Sequence, residues 1–132
     1  MTPGMLEPVE KIARFIATGD EACLSAFATS DVVILENFAP YLFTGPDAVV
    51  RWAKGMREHA STLGGLEHRF GEPQDFTSDG ERAFFSLPTH WHGTTNGRPF
   101  QEDGGWSFLL VKQDGGWRVK CYGWAVTRLV YE

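Results

Sequence analysis

The sequence predicts an α+β fold, with three N-terminal helical segments followed by a bent, mainly antiparallel sheet. Two observations carry the sheet. The stretch Glu81–Val126 reads as three long strands, Arg82–His92, Pro99–Lys112 and Trp117–Val126, divided by Asn96-Gly97 and by Asp114-Gly115-Gly116. Asn-Gly and Asp-Gly pairs accept the positive φ angles of tight hairpins, and the flanking segments hold the aromatic and β-branched residues that suit a pleated surface. Strands of this length curve, so a hollow is expected inside the bend. The third observation is upstream, where apolar residues recur at helical rather than alternate spacing.

Leu6, Val9, Ile12, Phe15 and Ile16 share one helical face, with Pro8 in the first turn and Gly19 placed to take a left-handed cap. Asp20 offers an N-cap to a shorter helix carrying Leu24 and Phe27. The β-branched run Val32-Val33-Ile34-Leu35 then reads as a strand buried on both faces. It ends in the polar and aromatic patch Glu36-Asn37-Phe38-Ala39-Pro40-Tyr41. Thr44-Gly45-Pro46-Asp47 opens a third helix whose apolar stripe is Val49, Trp52, Ala53 and Met56, and Gly64-Gly65 is read as its end. Leu66 to Phe76 forms a strand interrupted by Pro73. With 132 residues and neither linker nor repeat, residues 1–132 are expected to make one domain.

Composition excludes several classes of partner. The net charge is −5 and Lys and Arg are scattered singly, which argues against nucleic acid and against an anionic membrane surface. No apolar run is long enough to span a bilayer, and Met1-Thr2-Pro3-Gly4 lacks the parts of a signal peptide. Cys23 and Cys121 have no metal-ligand spacing, so a reduced, cytoplasmic protein is expected. Ten Phe and five Trp exceed what a minimal core needs, and they fit either an aromatic-lined pocket or a larger core.

This order of elements resembles the nuclear transport factor two-like superfamily, which includes ketosteroid isomerase, the SnoaL polyketide cyclases and scytalone dehydratase. Three local features carry the resemblance. Asp31-Val32-Val33-Ile34-Leu35-Glu36, with Gly45 nine residues on, is similar to the isomerase strand that ends in a catalytic carboxylate. The run from Phe108 to Val119 resembles the family's penultimate hairpin, and Cys121-Tyr122-Gly123-Trp124 falls where the isomerases carry a pocket Trp. The resemblance implies a cone-shaped curved sheet wrapped around the three helices, an apolar small-molecule pocket and no cofactor. It also implies a homodimer formed through the outer sheet face.

By that match, Glu36 is the candidate general base, since burial at a strand end raises a carboxylate pKa. The alternative is a carboxylate that caps a turn or pairs with an Arg. Matching the isomerases places Phe84, His90 and His92 inside the cone and turns Phe85, Leu87 and Trp91 outward as an association surface. His90 and Tyr41 are then hydrogen-bonding partners of Glu36, and Trp52, Phe84, His92, Ser107, Tyr122 and Trp124 line the ligand. Two His on one strand face with Glu36 also suit a two-His, one-carboxylate metal site, although no metal is assigned. Ser107 is the inward residue unless a bulge at Gly104-Gly105 turns Trp106 in instead. His59 and His68 read as solvent-facing. The first helix has Phe15 but no Tyr where the isomerases place a phenolic donor, which argues against a steroid isomerase. An isomerase, cyclase or dehydratase therefore stands beside a non-catalytic ligand-binding or assembly domain.

Overall fold

A computed structural model describes all residues, Met1–Glu132. Helix α1 spans Glu7–Thr18 and buries Val9, Ile12, Ala13 and Phe15, the face expected from their spacing. Gly19 ends it at φ 73°, its N–H donating to the Phe15 carbonyl at 2.7 Å. The second expected helix is a six-residue 3₁₀ turn, Glu21–Ala26, with the Asp20 carboxylate accepting from the Ala22 N–H at 3.0 Å. The segment is too short for a stable α-helical nucleus, and Phe27 leaves it to bridge to Val119.

Strand β1 (Val33–Leu35) is followed by β2 (Leu42–Phe43), helix α2 (Ala48–His59) and strands β3 (Leu63–Phe70) and β4 (Gln74–Ser78). The long ribbon is β5 (Arg82–Thr95), β6 (Arg98–Gln113) and β7 (Gly116–Tyr131). Asn96 and Gly97, then Asp114 and Gly115, take the positive φ angles their hairpins require. Gly64 and Gly65 do not end α2; they lie in β3, where the register against β5 shifts between Gly64 and Glu67.

The seven strands form one sheet in the order β2-β1-β7-β6-β5-β3, with β4 also paired to β5. All pairings are antiparallel except β1 with β7. Register shifts in the β6–β7 pair at Asp103/Gly104 and Leu109/Leu110 bend the ribbon over the helices. The sheet is therefore a curved, unclosed, mixed surface covering the N-terminal helical segments. No helix is long and apolar enough to cross a membrane.

The core lies between the concave face and the helices, and it corrects the expected phase of β5. Ala83, Phe85, Leu87, Thr89 and Trp91 are buried against the helices, whereas Phe84 and His92 are exposed. The register between β5 and β6 is unbroken, so Leu87 lies opposite Trp106 and Phe85 opposite Phe108, all pointing inward. The apolar alternation decides the phase, because burying Phe85, Leu87 and Trp91 removes far more apolar surface from water than burying two imidazoles. The outer face carries Val33, Cys121, Leu109 and Phe84 in one register row, and Leu35, Gly123, Ser107 and Ser86 in the next. Leu35 is 50% exposed there, so β1 is buried on one face and not on both.

Candidate active site

Val32, Ile34 and Glu36 alternate onto the inner face of β1, which puts the carboxylate just beyond the last strand residue. The Glu36 N–H donates to the Tyr41 carbonyl at 3.0 Å, closing the intervening loop and fixing where the side chain starts. Glu36 is 7% exposed. Its Oε2 accepts two hydrogen bonds, one from the Trp52 Nε1–H of α2 at 2.9 Å and one from the Tyr122 hydroxyl of β7. The other oxygen, Oε1, accepts from no protein donor and is not sealed from solvent, which leaves it to the adjoining cavity.

Burial pushes the Glu36 carboxyl up from 4.5 to about 7, against the opposing pull of the Tyr122 and Trp52 donors, with a further small push from Glu102. The Tyr122 phenol is held well above its usual value by its own burial and by the adjacent carboxyl, so it remains a donor. Two fixed donors on one oxygen and a free second oxygen orient the carboxyl toward the cavity. Its proton affinity then suits transfer near neutral pH.

The cavity measures about 270 Å³ and is mostly apolar. Trp91, Phe100, Trp106 and Trp124 form its aromatic wall; Glu36, Glu102 and His59 are its titratable side chains besides Tyr131 at the rim. No Lys or Arg lines it. Burial raises the Glu102 carboxyl and lowers the His59 imidazole, which stacks on Phe38 at 4.7 Å. Leu129 and Tyr131 are exposed at the mouth.

The structure sorts the candidate residues clearly. Glu36 and Trp124 line the cavity, while Trp52 and Tyr122 lie behind it and hold Glu36. Phe84, His90, His92 and Ser107 lie on the other face of the sheet, because β5 and β6 turn their opposite edges inward. His90 hydrogen-bonds through Nδ1 to the Asp103 carboxylate at 2.7 Å, and His92 pairs with Glu67 at 3.1 Å. Neither faces Glu36, so the two-His, one-carboxylate arrangement is not formed. Tyr41 is 60% exposed and does not line the cavity, so its hydroxyl is no partner to the Glu36 carboxyl and only its backbone carbonyl meets Glu36.

Sequence reasoning missed the wall residues Trp91 and Phe100, read His59 as solvent-facing, assigned no role to Glu102 and held Trp106 only as the alternative to Ser107, whereas all five line the cavity. His59 belongs to the rim rather than the open surface, and His68 is half-buried beside Glu10. Phe100, Glu102, Gly104, Trp106, Phe108 and Leu110 are alternate residues of one strand, so anchoring the phase on the apolar members finds the rest.

A curved, unclosed sheet over N-terminal helices is the fold of the nuclear transport factor two-like class. Residues 6–125 match the SnoaL-like domain model, and the chain belongs to that family. Among solved structures, the chain resembles hexachlorocyclohexane dehydrochlorinase LinA-type3 from Novosphingobium barchaimii, with a TM-score of 0.80 at 8% identity, covering 98% of this chain and 88% of that one. It also resembles a protein provisionally named a scytalone dehydratase from Novosphingobium aromaticivorans, with a TM-score of 0.75 at 15% identity, covering 95% and 83%. At these identities the likeness establishes the fold. No curated protein matches the sequence.

Proposed function

We propose that residues 1–132 act as one unit, a cofactor-free enzyme that moves a proton on an apolar small molecule, with Glu36 as general base. The observation that carries this reading is Glu36 itself, buried, oriented by two donors on Oε2, raised to about 7, and open to a cavity through Oε1. Cradling a carboxylate this way costs stability and has no evident packing benefit, so its use lies in chemistry. A base poised near neutrality supports isomerisation or elimination. The dehydrochlorinase and dehydratase names of similar folds both describe eliminations, which favours a lyase.

The test is α-proton exchange. The protein is incubated with neutral aryl ketones in D₂O and deuteration is followed by NMR. Glu36→Gln is expected to lower exchange by about 10²–10⁴-fold while leaving ketone affinity nearly unchanged. Equal exchange in both proteins, or none in either, sinks the reading.

A second reading is supported by the placement of His90 and Tyr41 outside the cavity, and by Glu36 Oε2 being held only by Trp52 and Tyr122. In that reading the domain holds an apolar ligand without turning it over, and Glu36→Gln changes neither property.

We also propose a homodimer through the outer sheet face. Phe85, Leu87 and Trp91, which the sequence match turns outward, are core. Val33, Leu35, Leu109 and Phe84 supply the apolar surface instead, with Gly123, Ser107 and Ser86 keeping its centre flat. Light scattering of Leu109→Lys against the native protein checks it, a dimer converting to monomer. Both cysteines are free, in keeping with a cytoplasmic protein.

A further inference from the structure

Glu102 is a titratable group of the cavity that the proton transfer leaves unused. It lies on the inner face of β6, in the register row between Trp91 of β5 and Leu129 of β7. Burial alone shifts its carboxyl, upward, and it takes part in no side-chain hydrogen bond or ion pair. Glu36, 7% exposed, faces the same cavity with an oxygen, Oε1, that no protein donor meets. The charge on Glu102 also makes Glu36 harder to ionise. Two carboxyl groups held in one mostly apolar space call for a positive partner, and no Lys or Arg of the chain reaches them.

The rest of the wall narrows what that partner is. Helix α1 and strand β3 contribute only apolar side chains, Ile16, Leu63 and Leu66. His59 of α2 is kept neutral near pH 7 by burial, Tyr131 of β7 stands at the rim, and Tyr122 behind Glu36 remains a neutral phenol. A metal ion needs several ligating side chains drawn together, and no group of three or more His, Cys, Asp or Glu forms. An organic ammonium asks for less: negative charge on one side and aromatic rings on the others. Trp106 and Trp124 meet 5.1 Å apart at 60°, making a corner of the wall that Trp91 and Phe100 continue. An anion would meet only repulsion here, and a neutral molecule would leave both carboxylates without a counter-charge.

We infer that the cavity takes an organic cation, an ammonium carried on an apolar body, with its charge between the Glu36 and Glu102 carboxylates and its body against the aromatic wall. This names the ligand class for the proton-transfer reading, and it rests on that reading only for the use made of Glu36. A cation beside Glu36 favours the ionised carboxylate, so the arriving ligand also readies the base.

The experiment uses three probes of similar shape: benzyltrimethylammonium, its uncharged isostere neopentylbenzene, and the anion phenylacetate. Affinities are read from tryptophan fluorescence at pH 8.5 and pH 5.5 for the native protein, Glu102→Gln and Glu36→Gln. At pH 8.5 the native protein is expected to bind the cation about ten-fold more tightly than the isostere. Glu102→Gln lowers that preference about three-fold or more and leaves the isostere within two-fold. Lowering the pH to 5.5 protonates Glu36 and weakens the cation about five-fold to ten-fold in the native protein but not in Glu36→Gln. An isostere or phenylacetate that binds as tightly as the cation overturns the inference, as does failure of all three to bind. A preference unchanged in Glu102→Gln, or a pH effect that persists in Glu36→Gln, overturns the paired carboxylates. Should Glu102→Gln not fold, the pH effect and its loss in Glu36→Gln decide. The exchange test fails separately: cation preference without proton exchange keeps the ligand class and removes the base, and exchange without cation preference does the reverse.

Discussion

Glu36→Gln should remove most of the excess acid preference of this fold. In the native protein the Glu36 carboxyl titrates at about 7 when folded and at 4.5 when unfolded. A raised carboxylate pKa means that the folded state holds its proton where the unfolded state has released it, so stability falls as pH rises from 4.5 to about 7 and is level above that. Integrating the two titrations between pH 5 and pH 8 gives a loss of about 2.5 kcal/mol from this one group. Gln keeps a carbonyl oxygen for the Trp52 and Tyr122 donors and has no proton to release. Glu102 is also raised but is present in both proteins, so its share cancels in the comparison. Urea unfolding at pH 5 and pH 8 for both proteins measures the difference directly. Should the native protein and the variant lose the same stability across that interval, Glu36 does not titrate in the way its burial requires, and the case for a neutral-pH base goes with it.

Tyr122→Phe deletes the stronger of the two donors that hold the Glu36 pKa down, so the ascending limb of the pH–exchange profile should move to higher pH, followed by the same NMR assay. Gly104→Ala puts a Cβ on the Trp124 ring and within 2.6 Å of the Ala125 carbonyl, so urea unfolding should show a loss of about 1–3 kcal/mol and ketone affinity should fall as Trp124 is pushed toward the cavity. His90→Ala and His92→Ala alter groups on the far side of the sheet and should leave ketone affinity and exchange within two-fold by calorimetry and NMR, roughly the range expected of a surface change.

The elements were legible because their signals are local. Asn96-Gly97 and Asp114-Gly115 set the hairpins, Gly19 ended α1, and the spacing of Val9, Ile12 and Phe15 gave its buried face. Glu36 was legible too, through the resemblance of Asp31–Glu36 to the isomerase strand that ends in a carboxylate. Of the cavity wall only Trp124 was placed correctly, because a strand's two faces are fixed by a single choice of phase. Matching the isomerases turned His90 and His92 inward against the greater apolar mass of Phe85, Leu87 and Trp91, and Ser107 was set inward ahead of Trp106; the unbroken register shows that both strands take the opposite phase. Glu102 was lost with it, and Trp106 was left as an alternative. The roles of Trp52 and Tyr122 as clamps on Glu36 depend on contacts 16 and 86 residues apart in the chain, which no local pattern encodes.

The parallel pairing of strand β1 with β7 has a consequence for biosynthesis. The segment bearing the acid emerges from the ribosome early, yet the strand that flanks it and supplies its phenolic clamp comes nearly last. Until that strand docks, Glu36 has water around it and behaves as an ordinary surface carboxylate. The raised proton affinity of Glu36 is thus a property of the assembled sheet and not of the early segment that carries it. The same long-range closure makes this a slow step among folding events, since the loop it seals spans most of the polypeptide.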